Sequence, residues 1–289
     1  MTALSSPVVT LLSDYGLTDE FVGVMHGVIF RICPEARVIN MTHGVRRHDI
    51  RSGAGILAQS LPFMPVGVHV AVVDPTVGGD RRAVALRTAD GRILVGPDNG
   101  LLWLACVALG GIEAAVEISR SRWRLQPVSA TFHGRDIFAP VAAHLAAGGQ
   151  LEEAGDPLNT GQLERLNVPR PWIEGGALVA QVSNGDRFGN AQLTAGREDA
   201  SVLELELGDP VQVSIPTGEN YPARFARTFS DVPEGELILF EDSSNRLALG
   251  FNHGSATGRL SLRIGDEVRI SRSAMNVSGV VRPLRPPGA

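Results

Sequence analysis

The sequence contains no lysine, so all 26 positively charged side chains are arginine. This absence excludes a Schiff-base lysine, a pyridoxal-phosphate lysine and the lysine of a phosphate-binding P-loop. No GxGxxG run follows a predicted strand, so the standard dinucleotide fingerprint is missing too.

Cysteine is also scarce, with only Cys33 and Cys106. Two cysteines argue against a disulfide framework and a thiolate zinc site, and they favour a reducing cytoplasm. No apolar run approaches the ~18 residues of a transmembrane helix, and the first residues, MTALSSPVV, lack the features of a secretory signal. The formal charge of −5 does not suit a non-specific nucleic-acid binder. We therefore expect a cytoplasmic protein with no nucleic-acid or membrane partner.

What the sequence does have is the composition of a globular chain, with 289 residues of which 44% are hydrophobic. Residues 1–170 alternate strand and helix patterns and predict an α/β domain with a mostly parallel or mixed sheet. One predicted strand covers residues 8–13, and the helix predicted over residues 19–33 has Thr18 placed to cap it.

A change of pattern follows the segment NVPRPWIEGG. Residues 175–289 show short β-rich runs separated by turn signals, including runs at residues 201–207 and 259–269. No helical period is sustained there, so we expect a smaller all-β sandwich or barrel domain.

Two aspartates follow apolar strands: Asp14 after VVTLLS and Asp74 after VHVAVV. The carboxyl ends of strands line the ligand crevice of an open α/β sheet, although an aspartate there can also simply cap a turn. The runs DPTVGGDRR and TFHGRDIF add arginines, glycines and His133. His48-Asp49 hints at a metal, but no metal-ligand spacing such as HExxH supports one. By spacing alone, the runs GDRFGN and DSSNRLALGFNHGSA read as ordinary hairpin turns.

Six motifs in order carry a specific resemblance: LLSDYGLTDEFVGVMHGVI, VHVAVVDPTVGGDRRAV, GPDNGLL, TFHGRDIFAPVAAHLA, GDRFGN and SSNRLALGFNHGSA. Together they resemble the S-adenosyl-L-methionine (SAM) hydroxide adenosyltransferase family, the adenosine-forming SAM hydrolases related to fluorinase and chlorinase. The resemblance implies an N-terminal α/β domain that binds SAM and carries the catalysis, and a C-terminal β domain. It also implies a homotrimer with SAM bound between the N-terminal domain of one subunit and the C-terminal domain of the next.

The same resemblance implies hydrolysis of SAM to adenosine and L-methionine by in-line attack of an activated water or hydroxide on the ribose 5′ carbon. SAM would be the substrate, with no cofactor and no metal. The implied catalytic residues are Asp74, Arg81 and His133. The implied substrate-binding residues are Asp14, Asp19, Asp186, Phe188, Asn190, Phe229, Ser243 and Ser244.

Departures from the family pattern leave alternatives open. Halogenating relatives carry a small hydroxyl residue where this chain has Gly134, and they lack the pair formed by Asp74 and Arg81. Tyr15 stands where phenylalanine is common, and Asn245 stands where the closing loop usually has glycine. The alternatives to hydrolysis are halide-dependent adenosyl transfer and a SAM- or adenosine-binding sensor without turnover.

Overall fold

The computed structural model describes residues 6–273, so the last part of the predicted C-terminal domain lies outside the described residues. The chain divides into two compact units, with the division between Asn167 and Val168. Within the described residues, no helix is both long and apolar enough to span a bilayer.

The first unit is built on a seven-stranded mixed sheet, as the sequence predicted. Its strands are β1 (Val8–Ser13), β2 (Arg37–Thr42), β3 (Val68–Val72), β4 (Ala83–Thr88), β5 (Ile93–Pro97), β6 (Ile112–Glu117) and β7 (Asp156–Pro157). Their order across the sheet is β2-β1-β3-β5-β4-β6-β7. Strands β2, β1, β3 and β5 are parallel to one another, and β4, β6 and β7 add antiparallel ladders.

Helices cover both faces of this sheet. They are α1 (Phe21–Ile32), α2 (Ile50–Ser60), α3 (Trp103–Ala108), α4 (Ala139–Ala146) and α5 (Leu151–Ala154). Helices α1 and α4 share one apolar core with alternate strand residues such as Val70, whereas α2 and α3 share a second core with the intervening residues such as Ala71. Because successive strand side chains point to opposite faces, a strand between two helical layers is apolar throughout. This explains why all five residues of β3 are buried.

The start of α1 differs from the prediction. The helix begins at Phe21 with Glu20 at the capping position, and no side chain caps it. The preceding residues form a turn instead of the first helical turn. Thr18 therefore does not cap the helix, and Asp19 is left on an exposed turn.

The second unit is a β-barrel with a few short helical turns between its strands. Its strands are β8 (Trp172–Glu174), β9 (Ala177–Gly185), β10 (Ala191–Gly196), β11 (Pro210–Ser214), β12 (Asn220–Phe225), β13 (Leu237–Glu241), β14 (Arg246–Phe251) and β15 (Glu267–Arg272). Seven strands in the order β10-β14-β13-β12-β11-β15-β9 close on themselves through the β9–β10 ladder, and β8 adds to β9 outside the ring. Closure leaves one continuous apolar core inside the ring.

One strand prediction in this unit is wrong, and another is wrong except over residues 267–269. Residues 197–203 form the short helix α6 (Arg197–Ala200) and a 3₁₀ turn, and Glu204 then adopts a left-handed conformation with φ 48° that no strand can contain. The run at 259–269 begins in helix α7 (Ala256–Arg259), which Ser255 caps by accepting a hydrogen bond from the amide of Gly258. In the first segment Leu203 is buried, whereas Val202 and Leu207 are exposed. The second segment joins a ladder at its end, where residues 267–269 begin β15 and pair with β9.

Candidate active site

The carboxyl ends of β1 and β3 open on a pocket of about 410 Å³ in the first unit. That volume lies within the range of roughly 300–1,000 Å³ seen for small-molecule sites. The residues lining it are Asp14, Tyr15, Asp19, Phe21, Arg47, His48, Asp74, Val77, Thr131 and Gly134. Three predicted site residues, Asp14, Asp19 and Asp74, therefore lie on one cavity.

Asp74 and Arg81 form a tightly bound ion pair at this pocket. Nε of Arg81 donates to both carboxylate oxygens of Asp74, at 3.1 Å to Oδ1 and 3.0 Å to Oδ2, and Nη2 donates to Oδ2 as well. The side chains are only 8% and 4% exposed. A buried carboxylate is tolerated when a cation and hydrogen bonds compensate its lost hydration. The turn between β3 and β4 brings the two residues together, and Gly78 in it is so close to the carbonyl of Ala130 that no Cβ would fit.

His133 completes a chain of three side chains. Nη2 of Arg81 lies 2.7 Å from Nδ1 of His133. A guanidinium can only donate, so Nδ1 must be the acceptor and the proton of the neutral ring sits on Nε2. Burial and then the Arg81 charge lower the pKa of His133, against the opposing effects of Asp74 and Asp136. The histidine is therefore held neutral at pH 7.

A wide helical turn presents His133. Residues Gly134–Phe138 form a π-helical turn that continues into α4. Its buried Asp136 accepts a hydrogen bond from the amide of Ser129 at 2.8 Å and pairs with Arg135. These contacts fix the loop before His133, as expected of a π-helical turn placed at a site.

Asp14, which directly follows β1, is oriented by a backbone amide. Its Oδ2 accepts a hydrogen bond of 2.9 Å from the amide of His48. His48 has φ 65°, a left-handed conformation that aims this amide at the carboxylate. Asp49 instead caps α2 by accepting from the amide of Ser52. His48 and Asp49 thus orient Asp14 and cap α2. Among residues 6–273, no three His, Cys, Asp or Glu side chains are close enough to share a metal ion.

The second unit assembles part of the other predicted set around Gly250. A Cβ on Gly250 would lie 2.6 Å from Oδ1 of Asn190 and 2.7 Å from the ring of Phe229, so these two predicted residues converge there. Asp186 is tied to the same place, because its carboxylate accepts from the backbone and side-chain amides of Asn190 at 2.8 and 2.7 Å. Phe188 stands at the tip of this turn and is 82% exposed.

Ser243 and Ser244 lie elsewhere on the barrel. They occupy the hairpin turn between β13 and β14, where Asp242 accepts from the amide of Ser244 and Asn245 has φ 58°. Four strand residues, 246–249, lie between this turn and Gly250, which are about 16 Å apart along the strand. The barrel therefore does not bring the two serines to Asn190 and Phe229.

Tyr15, Arg47, His48, Val77 and Thr131 line the pocket without having been predicted as site residues. The family pattern marks Tyr15 as a departure, and that was the one signal available for it. The contribution of His48 comes from its backbone, which no side-chain motif reveals.

Two family descriptions match this chain. The SAM hydroxide adenosyltransferase N-terminal domain matches residues 9–155, and the C-terminal domain of the same name matches residues 180–269. A protein of Salinispora arenicola named (R)-S-adenosyl-L-methionine hydrolase is 46% identical, over 92% of this chain and 98% of its own. A protein of the same name from Thermus thermophilus is 40% identical over 91% of this chain and 98% of its own. A fluorinase of an Actinoplanes species is 27% identical over 94% of this chain and all of its own.

Solved structures share the fold. The crystal structure of an uncharacterized conserved protein from Thermotoga maritima superposes with a TM-score of 0.85 at 36% identity, covering 91% of this chain and all of that one.

Proposed function

Because the chain belongs to the SAM hydroxide adenosyltransferase family, we propose that it hydrolyses SAM to adenosine and L-methionine. The observation that carries the proposal is the linked set Asp74–Arg81–His133, whose Asp74 lines the same pocket as Asp14. The most similar relatives reported above carry the hydrolase name, whereas the fluorinase is more distant.

The charge of the pocket suits a cationic substrate. SAM carries a sulfonium and an ammonium group. Asp74 is paired with Arg81, whereas Asp14 and Asp19 line the cavity without an ion pair to a described residue, and Arg47 adds one positive side chain to the same lining. Oδ1 of Asp14 has no hydrogen-bond partner within the described part of the chain, so it can accept from the ribose hydroxyls while Oδ2 stays bound to His48.

The leaving group needs little help. Methionine departs as a neutral thioether when the bond between sulfur and the ribose 5′ carbon breaks. No general acid and no Lewis acid is required for that step. We infer that the protein works without a metal or other cofactor, and that its task is to position and activate one water.

The three linked side chains supply what that water needs. Oδ1 of Asp74 accepts one bond of 3.1 Å from Arg81 and keeps a lone pair for a water hydrogen. Nη1 of Arg81 makes no hydrogen bond to a described residue, so it can donate to the water oxygen and stabilise a developing hydroxide. His133 accepts from Nη2 and fixes the guanidinium plane. As the oxygen bonds to the 5′ carbon, the proton passes through Asp74 to solvent.

We further propose a homotrimer in which each active site draws on two subunits. The pocket in the first unit contains residues for the ribose and the water, while Asp186, Asn190 and Phe229 form a separate cluster in the second unit. In this arrangement Asp186 holds the methionine end, and Asn190 and Phe229 face the adenine. Ser243 and Ser244, at the other end of β14, lie outside this cluster. The family resemblance supports the arrangement.

The test is product analysis in H₂¹⁸O with purified protein and SAM. We expect adenosine and methionine in equal amounts, with the label in the 5′-hydroxyl of adenosine, and no change when EDTA is added. A 5′-halo-adenosine formed in the presence of chloride would instead indicate adenosyl transfer to halide. Bound but unchanged SAM would indicate a sensor.

A further inference from the structure

Tyr15 lines the pocket, and contacts of both its backbone and its ring hold it in place. Its amide donates to Oγ of Ser13 at 3.2 Å. Its ring packs against Phe21 and Phe132, with centroids 5.6 and 5.9 Å apart, and meets Phe132 edge-on. Backbone and ring are therefore both fixed, and the position of the hydroxyl follows from them.

The hydroxyl occupies space that only a glycine leaves open. A Cβ on Gly134 would lie 2.5 Å from Oη of Tyr15, much closer than such atoms approach. Gly134 directly follows His133 and also lines the pocket. The absence of a side chain at residue 134 thus places a phenol beside the residues that handle the water.

This hydroxyl has bonding capacity to spare. It makes no hydrogen bond to a residue of the described chain, and Tyr15 lines the same pocket as Asp74. Burial raises the pKa of Tyr15, and the negative charges of Asp14 and Asp74 raise it further. The phenol therefore stays protonated at every pH at which the protein would work, and its O–H is available to donate.

A hydroxide has three lone pairs. One attacks the 5′ carbon, so two remain to accept hydrogen bonds, and Arg81 supplies one donor. We propose that the Tyr15 hydroxyl is the second donor, holding the attacking water next to Asp74 and Arg81. The inference rests on the proposed hydrolysis and adds a catalytic residue to it.

Tyr15→Phe removes the hydroxyl and keeps the ring contacts with Phe21 and Phe132. We expect the folded variant to bind SAM within twofold of the wild type by calorimetry, while kcat falls ~10- to 100-fold, toward the scale of a lost oxyanion donor. Wild-type protein that does not turn over SAM would overturn the hydrolysis and this role together. An active wild type with a Tyr15→Phe kcat within twofold, or with weakened SAM binding in place of a lower kcat, would overturn the Tyr15 role alone.

The position of the Tyr15 hydroxyl against residue 134 can be tested separately through melting temperatures. Gly134→Ala should lower the melting temperature, because its Cβ would meet the Tyr15 hydroxyl. In the Tyr15→Phe background the same substitution should cost at most half as much, since the colliding oxygen is gone. Equal losses in both backgrounds would show that the hydroxyl does not lie against residue 134 and would overturn the proposal.

Discussion

Arg81 and Arg82 are consecutive residues, yet their guanidinium groups bind different carboxylates. Arg81 binds Asp74 at the pocket, and Arg82 binds Asp98, with Nε 2.8 Å from Oδ2. Asp98 is as buried as Asp74, with a side chain 4% exposed, but it does not line the pocket. Mutations of the Arg82–Asp98 ion pair can therefore serve as controls for mutations of the Arg81–Asp74 ion pair.

Asp74→Asn and Arg81→Ala should each slow adenosine release at least ~100-fold while SAM still binds, because both position the same water. His133→Ala should behave likewise, and combining it with Arg81→Ala should cost little more, since groups acting as a unit are non-additive. Single-turnover rates and calorimetry measure the two effects separately.

Arg82→Ala, the control, should lower the melting temperature but not the rate of adenosine release. An equal loss of rate in Arg82→Ala would mean that both pairs are merely structural.

Asp14→Asn should mainly weaken binding. The amide keeps one oxygen for the His48 amide but presents N–H groups to the ribose hydroxyls, so we expect KM to rise at least ~10-fold, as for a lost charge-assisted hydrogen bond, with a smaller change in kcat. Steady-state kinetics would show this. The matched control is Asp49→Asn on the same loop, which keeps an oxygen to cap α2 and should leave KM unchanged.

Gly250→Ala should disturb the cluster in the barrel. The new methyl group would meet Asn190 and the rings of Phe229 and Phe240, so the variant should lose stability and SAM affinity together. Calorimetry and thermal melting would show both losses. Gly218→Ala is a useful comparison because its Cβ meets no atom within 4 Å. That residue has φ 84°, so it should cost stability only, and unchanged SAM affinity in Gly250→Ala would contradict the role of the cluster.

His69 should make the first unit sensitive to acid. It is fully buried beside Thr10, with Nδ1 2.9 Å from Oγ1 and Nε2 lacking a hydrogen-bond partner. Burial and the Arg92 charge lower its pKa to about 4. The unfolded chain binds the proton from about pH 6.5 downward, so stability is full above that pH and falls as pH drops toward 4, by about 3 kcal/mol.

Urea unfolding at pH 7 and pH 4.5 tests this acid sensitivity. His69→Gln cannot titrate, so the variant should show a smaller loss of stability between the two pH values than the wild type. An identical loss in both proteins would assign the acid sensitivity to other groups.

Shared sites predict complementation. Asp14→Ala and Asp186→Ala proteins should each be nearly inactive alone, and subunit exchange between them should restore part of the activity, because some sites would then contain both aspartates. Light scattering should show a trimer before and after mixing. Mixed subunits that stay inactive, or an active monomer, would contradict sites built from two subunits.

Periodicity predicted the first unit well because its strands are covered on both faces and read as apolar runs, as in β3. It missed β6, an alanine-rich strand, and β12, which contains Pro222. Residues 201–207 were mistaken for a strand because their leucines alternate with polar residues in the sequence. In the structure Leu203 is buried and Leu207 is exposed, so this alternation does not mark one face of a strand.

The motifs predicted which side chains meet, but their geometry came from the backbone. The link from Arg81 to His133 spans 52 residues, and no local pattern specifies it. The same holds for Asp14, whose orientation depends on the left-handed His48. Sequence spacing carries no information about such dihedral angles, so the supporting contacts could not be predicted.

The closed barrel determines how the second unit can come apart. A ring of strands has no free edge at which fraying could begin, so one of its seams must break first. The parallel β12–β13 ladder has only two residue pairs, Arg224 with Ile238 and Phe225 with Leu239. The β11–β12 and β13–β14 ladders have five residue pairs each. Amide hydrogens along this short seam should therefore exchange with solvent before those of the rest of the ring.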